Sequence, residues 1–183
     1  DKWQRTFGPH LPQYVTVAIE PDESAAAGQC LVVRLNGGGA HVESPVAAVS
    51  ENYSYKVESR IRADGLKYAR AQLRLEFCDD EKNVLQTAAG PWVAATNGWV
   101  DSHIGPINPS HPNVSLARIV LVVQSGERAD LTGSVALDRV WLGSLPKMTV
   151  TTNSSFNVYT DQDQVDVKCD LSGILDSDPD ISF

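Results

Sequence analysis

Apolar and polar residues alternate with a period of two along most of this chain. The clearest runs are residues 53–63 (YSYKVESRIRA) and 69–77 (ARAQLRLEF), in which apolar residues alternate with charged or polar ones. Such alternation predicts β-strands with one face in a core and the other in solvent. Residues 114–124 (VSLARIVLVVQ) are apolar on both sides apart from Arg118, which is typical of a central strand. The segment 20–28 (EPDESAAAG) is the only helical candidate.

Segments rich in Gly, Pro, Asp and Asn separate these runs. Residues 78–85 (CDDEKNVL) and 124–133 (QSGERADLTG) are predicted to be hairpin loops, and 36–40 (NGGGA) a flexible connection. Residues 90–112 hold two Trp residues and are predicted to combine a short strand with ordered loop. Many short strands separated by such turn-forming residues favour an antiparallel sandwich or barrel. Its predicted core consists of Leu31, Val33, Tyr55, Val57, Ile61, Leu73, Leu75, Phe77, Ile119, Leu121, Val135, Leu137 and Val140.

The composition changes after Pro146. Residues 147–183 are rich in Asp and hold one basic residue beyond Lys147, namely Lys168. The stretches MTVTT, FNVYT and QVDVKCDLSG in this tail each have the pattern of a strand. Three or four strands are too few to cover both faces of a sandwich. We therefore predict one domain over residues 1–146 and the truncated start of a second β domain over 147–183.

Composition and charge exclude several classes of partner. The chain has 183 residues, of which 42% are hydrophobic and 21% charged, and this is ordinary for a globular protein. The net charge is −8, and the Arg residues alternate with Glu instead of clustering, so we expect neither nucleic acid nor an anionic membrane as partner. No window approaches 18 consecutive apolar residues, and residues 1–15 lack the pattern of a signal peptide.

Neither the cysteines nor any known catalytic motif in the sequence indicates an active site. Cys30, Cys78 and Cys169 have no C-x-x-C spacing, and the first two lie in apolar strands, so we expect free thiols instead of a bridge between them. The sequence has no G-x-S-x-G, no H-E-x-x-H and no phosphate-binding loop, and its four His residues lack metal-ligand spacing. No pattern selects a catalytic pair among the 23 Asp and Glu residues. We therefore predict that the protein is not an enzyme.

Several short motifs follow one another in an order known from other proteins. They are Trp3, G-x-x-L-x-V (Gly28–Val33), Y-x-V-x-S-x-I (Tyr55–Ile61), an acidic hairpin (Phe77–Val84), Gly98-Trp99, P-x-x-S-L-A-R-I-x-L from Pro112, and G-x-x-x-x-D-x-V-x-L (Gly133–Leu142). Over residues 3–145 this order resembles the galactose-binding-like jelly rolls that serve as carbohydrate-binding modules on secreted glycoside hydrolases such as xylanases and cellulases. The resemblance implies an all-β fold, an antiparallel jelly-roll β-sandwich with a few extra C-terminal strands. The tail resembles the first strands of an immunoglobulin-like domain.

The function that the resemblance implies is binding without catalysis. The chain would be a carbohydrate-binding accessory module of a larger extracellular, secreted polysaccharide-degrading protein. Its partners would be a polysaccharide or oligosaccharide and the neighbouring domains of the same chain. The alternative is a structural β-sandwich spacer without a ligand of its own. An exposed aromatic side chain over a polar face favours binding, whereas a face filled by mutual Arg–Glu pairs favours the spacer.

Sugar rings have an apolar C–H face and a polar rim, so a binding site needs an exposed aromatic ring beside hydrogen-bonding side chains. If their strands are neighbours, two polar rows would lie side by side on one face. The rows are Lys56, Glu58, Arg60, Arg62 and Arg70, Gln72, Arg74, Glu76. Trp99 and Trp141 are expected to pack in the core or against strands. The predicted sugar-binding residues are Trp92, Tyr68, Arg60, Arg70, Gln72, Arg74 and Glu58.

Asp138 stands in the middle of an apolar strand, at 134–146 (SVALDRVWLGSLP). A buried carboxylate is costly without a partner. In the resembling modules the Asp of this element ligates a structural calcium with an acidic residue of the first strand, a role for which Glu20, Asp22 or Glu23 would have to stand in. Because no carboxylate triad is visible, we favour an Arg partner or backbone N–H donors for Asp138. No cofactor is then required, and a structural calcium at Asp138 is the alternative.

Overall fold

The computed structural model describes residues 2–6, 11, 14–126, 128, 130–154 and 165–174. Its strands are β1 (Gln4–Thr6), β2 (Thr16–Pro21), β3 (Gln29–Leu35), β4 (Ala40–Glu43), β5 (Ala47–Ala48), β6 (Tyr53–Asp64), β7 (Arg70–Cys78), β8 (Val84–Ala89), β9 (Val100–Ile107), β10 (Leu116–Gln124), β11 (Gly133–Thr152) and β12 (Val167–Ser172). Sheet I has the order β1-β4-β10-β7-β8, with β5 also paired to β10. Sheet II has the order β2-β3-β11-β6-β9, with β12 also paired to β11. Every pairing is antiparallel, so the predicted two-sheet sandwich is confirmed.

The chain crosses repeatedly between the two sheets, as in a jelly roll. Residues 78–85 do connect the hairpin β7–β8, as predicted. The prediction of a second hairpin at 124–133 is wrong, because this segment joins β10 of sheet I to β11 of sheet II. Sheets in a sandwich lie about 10 Å apart, a distance that a loop of this length spans easily. The segment 90–112 contains β9 flanked by loops, as predicted.

The core lies between the sheets and is built from the inward residues of both. Of the thirteen core residues predicted, all but Val140 are buried in one cluster, and Val140 packs partly buried against it. Tyr55 of sheet II meets Phe77 of sheet I edge to face, with ring centroids 5.8 Å apart. Trp3 also packs, partly buried, against this cluster. Period-two alternation therefore identified the buried face of each sheet correctly.

The helical candidate at 20–28 is instead the end of β2 followed by a loop. The side chain of Asp22 accepts hydrogen bonds from the backbone N–H and the hydroxyl of Ser24. Such a local bond competes with helix formation. The loop closes at Gly28, whose φ of +68° suits glycine. The described residues contain no helix, and so none that could cross a membrane.

Strand β11 continues through the predicted domain boundary. Pro146 lies opposite Tyr53 of β6, and residues 147–152 pair with β12. The strands expected at MTVTT and QVDVKCDLSG are therefore present, whereas FNVYT (156–160) lies outside the described residues. The division into domains 1–146 and 147–183 stays a prediction.

The three cysteines are free thiols, as predicted. Cys30 belongs to β3 of sheet II and Cys78 to β7 of sheet I, so the two buried thiols are held in different layers. Burial raises the pKa of both thiols. Neither is therefore a reactive thiolate at neutral pH.

Candidate functional site

A β-bulge in β11 turns Trp141 to the outer face of sheet II. Asp138 lies opposite Arg60, and Trp141 lies opposite Glu58, so three steps on β11 match two on β6. Arg139 within the bulge has a φ of +53°, in the left-handed region. One extra residue reverses the side to which every later side chain points. Trp141 is 49% exposed, so it does not pack in the core; of the two expected arrangements, core or strand packing, its ring adopts the second.

The indole of Trp141 lies over the backbone of Gly143, two residues further along the strand. A Cβ placed on Gly143 would be 1.8–2.6 Å from three atoms of the ring. Only glycine therefore leaves room for the indole in this position. One side of the ring rests on the strand and the ring is half exposed, so it forms an aromatic platform on the sheet.

Trp141 borders a cleft of about 610 Å³ on the outer face of sheet II. The cleft is lined by Glu58, Ser59, Arg60, Asp101, Arg139, Val140 and Trp141. A second cleft of about 420 Å³ shares Glu58, Ser59 and Asp101 with the first. It extends along β6 and β9 to Lys56, Ser102 and His103. The two clefts together form a groove, called here the Trp141 groove.

Hydrogen-bond donors and acceptors both face the Trp141 groove. Lys56 pairs with Glu58 at 2.5 Å, and the hydrogen bond from Lys56 lowers the pKa of that carboxyl. Arg60 is held by Asp138. Among the described residues, Arg139 and Asp101 form no ion pair. The groove thus offers a free guanidinium and a free carboxylate beside an aromatic ring, a set suited to a polyhydroxylated ligand.

Asp138 fastens a loop to the outer face of sheet II. It is 5% exposed and accepts hydrogen bonds from the backbone N–H of Ala26, at 2.9 Å, and from Nη1 of Arg60, at 3.4 Å. The predicted pairing of a buried Asp138 with an Arg and a backbone amide is confirmed. The loop 22–28 is thereby held beside the Trp141 groove.

Trp99 packs under the same loop, as expected. Its Nε1–H donates to the hydroxyl of Ser24 at 2.8 Å. The guanidinium carbons of Arg60 and Arg62 lie 5.2 and 4.7 Å from the centroid of its ring. A small apolar cluster, formed by Ala25, Cys30, Val32 and Ala136, lies against Trp99 on this outer face. Within the described part of the chain, the loop and Trp99 thus cover one end of sheet II and leave the Trp141 end open.

Two of the three acidic residues considered as calcium ligands, Glu20 and Asp22, are engaged by protein donors. Asp22 accepts bonds from Ser24 and pairs with Arg62 at 2.8 Å, and these contacts, led by the hydrogen bonds from Ser24, lower its pKa to about 2. Glu20 pairs with Arg34. Over the described ranges, no group of three or more His, Cys, Asp or Glu side chains is arranged to hold a metal. A structural calcium at Asp138 stays a prediction.

Replacing Asp138 by Ala is expected to lower the free energy of unfolding by about 2 kcal/mol, because the Ala26 amide and Arg60 lose their acceptor. Asp138→Asn is the matched control, since its amide oxygen still accepts from Ala26, and it should cost less. Urea unfolding measures both, and equal losses would contradict this role of the carboxylate. A melting temperature lowered by a chelator in the native protein but not in Asp138→Ala would show that calcium is bound there.

The two polar rows lie on opposite outer faces of the sandwich, and the expectation of one shared face is wrong. Strand β6 belongs to sheet II and β7 to sheet I, because residues 65–69 cross between the sheets instead of closing a hairpin. Of the predicted sugar-binding residues, Arg60 and Glu58 lie in the Trp141 groove. The others are on the sheet I side: Tyr68, Arg70, Gln72, Arg74 and Trp92.

Trp92 is 38% exposed, at the edge of sheet I. Val93 pairs with Ala71, which places Trp92 beside Gln72 of β7. Gln72 itself is buried, donating to the carbonyl of Gly90 at 2.9 Å and accepting from Nε of Arg74 at 3.0 Å. The structure therefore brings Trp92 together with part of its predicted row, although Gln72 is occupied by protein partners.

The centre of sheet I is filled by ion pairs. Arg118 lies between Glu43 and Glu76, with Nη1 3.0 Å from the first carboxylate and Nε 2.8 Å from the second. All three side chains are largely buried. The charged groups at this part of sheet I are therefore largely engaged with one another.

Solved structures similar to this chain share its fold. No family model matches the chain, and no curated protein matches it. The enzymatically active domain of tailspike protein 4 of bacteriophage CBA120 matches 79% of this chain and 19% of its own, with 16% identity and a TM-score of 0.60. A structure described as explaining the promiscuous specificity of carbohydrate-binding modules of the β-sandwich superfamily matches 77% of this chain and 56% of its own, with 11% identity and a TM-score of 0.57.

A third similar structure is a carbohydrate-binding module specific for non-crystalline cellulose, CBM28. It matches 77% of this chain and 88% of its own, with 11% identity and a TM-score of 0.50. This chain has the β-sandwich fold of carbohydrate-binding modules. It spans about a fifth of the tailspike chain and just over half of the second structure. Because the identities are low, the similarity shows the fold alone, and the galactose-binding-like type and the immunoglobulin-like tail stay predictions.

Proposed function

We propose that this chain is a non-catalytic carbohydrate-binding module whose ligand lies in the Trp141 groove. The observation that carries the proposal is the indole of Trp141, half exposed and supported by Gly143 on an open sheet face. The apolar face of a sugar ring stacks on such a platform. Arg139 and Asp101, which have no ion-pair partner among the described residues, then bind hydroxyl groups on the rim of the sugar.

The expected ligand is a polysaccharide or oligosaccharide, bound weakly. The groove is shallow and offers one aromatic ring with a few hydrogen-bonding groups. A flexible, hydrated ligand loses freedom and water when it binds. We therefore expect dissociation constants from about micromolar to millimolar, on the order of −8 to −4 kcal/mol.

The proposed context is an accessory domain of a larger extracellular protein that degrades polysaccharides. Two of the similar structures are described as carbohydrate-binding modules, and a third is a domain of a tailspike of which this chain spans only a part. The ribbon of β11 and β12 extends the sheet beyond the core and supports contact with a neighbouring domain. A galactose-binding-like module followed by an immunoglobulin-like domain fits this context.

Trp141→Ala is expected to weaken binding to a neutral polysaccharide at least about tenfold, because the stacking surface is removed. Affinity gel electrophoresis against a panel of soluble glucans, xylans and galactans measures it. Trp141→Tyr should keep part of the binding. Gly143→Ala should also weaken it, since the new methyl group displaces the indole although Trp141 is still present.

The melting temperatures of these variants should stay close to that of the native protein, because the indole lies on the surface. Trp92→Ala is the matched control, an exposed Trp on the other sheet. If Trp92→Ala abolishes binding to neutral glycans and Trp141→Ala does not, the groove is not the site.

If no glycan retards the native protein at millimolar concentration, the chain is a structural spacer. The ion pairs of Glu43, Arg118 and Glu76 at the centre of sheet I are the observation that favours this second function.

A further inference from the structure

A second patch of exposed aromatic rings and cations lies on the sheet I side, opposite the Trp141 groove. We propose that it binds glycan chains that carry carboxylate or sulfate groups. The patch, called here the basic edge, consists of Lys67, Tyr68, Arg70, Arg74, Trp92 and Arg128. It is separate from the proposed Trp141 site and has its own contacts.

Cations stand beside both aromatic rings of the basic edge. Nζ of Lys67 lies 5.2 Å from the centroid of the Tyr68 ring, and the guanidinium carbon of Arg128 lies 5.9 Å from it. The guanidinium carbon of Arg70 lies 5.7 Å from the centroid of Trp92. Tyr68 is 37% exposed, similar to Trp92. Each ring is thus accessible to solvent, and a positively charged side chain lies next to it.

The residues of the basic edge form a line. Arg70 and Arg74 lie in one outward row of β7, separated by about 13 Å of extended chain, and Tyr68 precedes them at the end of the crossing segment. The bridge from Val93 to Ala71 sets Trp92 alongside this line. A linear chain of several sugar units therefore fits along it better than a compact ligand.

The cations of the basic edge form no ion pairs within the described part of the chain, in contrast to those elsewhere. Arg34, Arg62 and Arg118 are each paired with carboxylates. Among the described residues, the carboxylate of Asp130 lies near the basic edge; it is 5% exposed and accepts hydrogen bonds from the amides of Lys67, Tyr68 and Ala69. On a protein with a net charge of −8, four clustered cations that form no ion pair within the described residues offer a site for an external anion, with Asp130 acting electrostatically on Lys67 among them.

The chemistry of the patch favours an acidic glycan over nucleic acid. Arg side chains bind carboxylate and sulfate oxygens through paired hydrogen bonds, and the exposed rings receive the apolar faces of sugars. Proteins follow a polynucleotide backbone with a long basic stripe, whereas the basic edge has four cations, and the net charge of −8 opposes binding to a long polyanion. A short acidic glycan needs only the few carboxylate or sulfate contacts that these cations offer.

The test uses the full chain carrying Trp141→Ala, so that the groove does not contribute. Isothermal titration measures binding of a tetramer of galacturonic acid, of its carboxyl-reduced form, and of a sulfated tetrasaccharide. We expect one or both charged tetramers to bind, and the reduced form to bind at least about tenfold more weakly. Binding should weaken as sodium chloride rises from about 50 to about 500 mM, because salt screens the ionic contacts.

Variants locate the site. Arg70→Ala and Trp92→Ala should each weaken binding of the charged tetramer at least about tenfold, whereas Arg34→Ala, which removes a cation from the opposite sheet, should leave it unchanged. No binding of either charged tetramer, equal binding of the reduced form, or an equal effect of Arg34→Ala would each overturn the proposal. Tighter binding of a thymidine octanucleotide than of both tetramers would overturn it in favour of nucleic acid. None of these results concerns neutral glycans, which test the Trp141 groove separately.

Discussion

Replacing Arg118 by Ala is expected to lower the free energy of unfolding by about 3–5 kcal/mol. Arg118 lies in β10, between Glu43 of β4 and Glu76 of β7, and its side chain is 17% exposed. Without the guanidinium, two adjacent carboxylates remain largely buried and repel each other. Most of the expected loss of stability comes from leaving two buried charges unpaired, because the net stabilisation by the ion pairs themselves is smaller.

Chemical denaturation of two matched variants distinguishes this explanation from a simple loss of packing. Arg34→Ala removes one member of a more exposed pair, with Glu20, and should cost less than about 1 kcal/mol. The triple variant Arg118→Met, Glu43→Gln, Glu76→Gln should recover much of the stability, since no buried charge is left. A loss of under about 1 kcal/mol for Arg118→Ala would show that the carboxylates find other partners.

Asp130→Ala is expected to cost about 3 kcal/mol, because three backbone N–H groups of the crossing segment lose their acceptor. The carboxylate of Asp130 accepts from the amides of Lys67, Tyr68 and Ala69 at 2.7–3.2 Å. These residues connect sheet II to sheet I just before β7, so the loss should weaken the whole sandwich. Urea unfolding at neutral pH measures it, with Asp130→Asn as the isosteric control.

The same carboxylate makes stability depend on pH. Burial raises the pKa of Asp130, but the hydrogen bonds from Ala69, Tyr68 and Lys67 outweigh this and hold it below its ordinary value of 3.8. A depressed pKa means that the contribution is complete above about pH 4 and is lost as the pH falls through the lower, folded-state value. The native protein should therefore lose more stability between about pH 4 and pH 2 than Asp130→Asn does. Parallel curves for the two proteins would contradict this.

Local patterns predicted strands and buried faces well, because a half-buried strand must alternate. Every inward residue predicted on β6 and β7 is buried. The arrangement of strands was not predictable in the same way, because a hairpin and a crossing segment can have similar loop sequences. Residues 124–133 look like a hairpin loop, yet they lead to the other sheet, where β11 pairs with β3 and β6. That choice depends on contacts between residues far apart in sequence.

The sequence contains a signal for the bulge that exposes Trp141. The inward residues of β11 are Val135 and Leu137, and then Val140 and Leu142, so one interval is three residues instead of two. A β-bulge produces such an interval, and it moves Trp141 from the inward to the outward set. The Gly90-Pro91 pair before Trp92 indicates a loop, and the side chain of Trp92 is indeed exposed to solvent. The position of Gly143 under the indole could not be inferred without the backbone geometry.

The bulge sorts the residues of β11 so that the outward set can change without the inward set. Arg139, Trp141 and Gly143 are alternate positions within a stretch of five residues, while the core residues of the same strand lie between and before them. Without the bulge, strict alternation of the same sequence would turn the indole inward and place Val140 and Leu142 on the outer face. Point changes at Trp141 or Gly143 would alter the platform without touching the core. The sandwich can therefore lose or change its aromatic platform with little change to its interior, so a variant without the indole is expected to keep the fold while it lacks the proposed ligand surface.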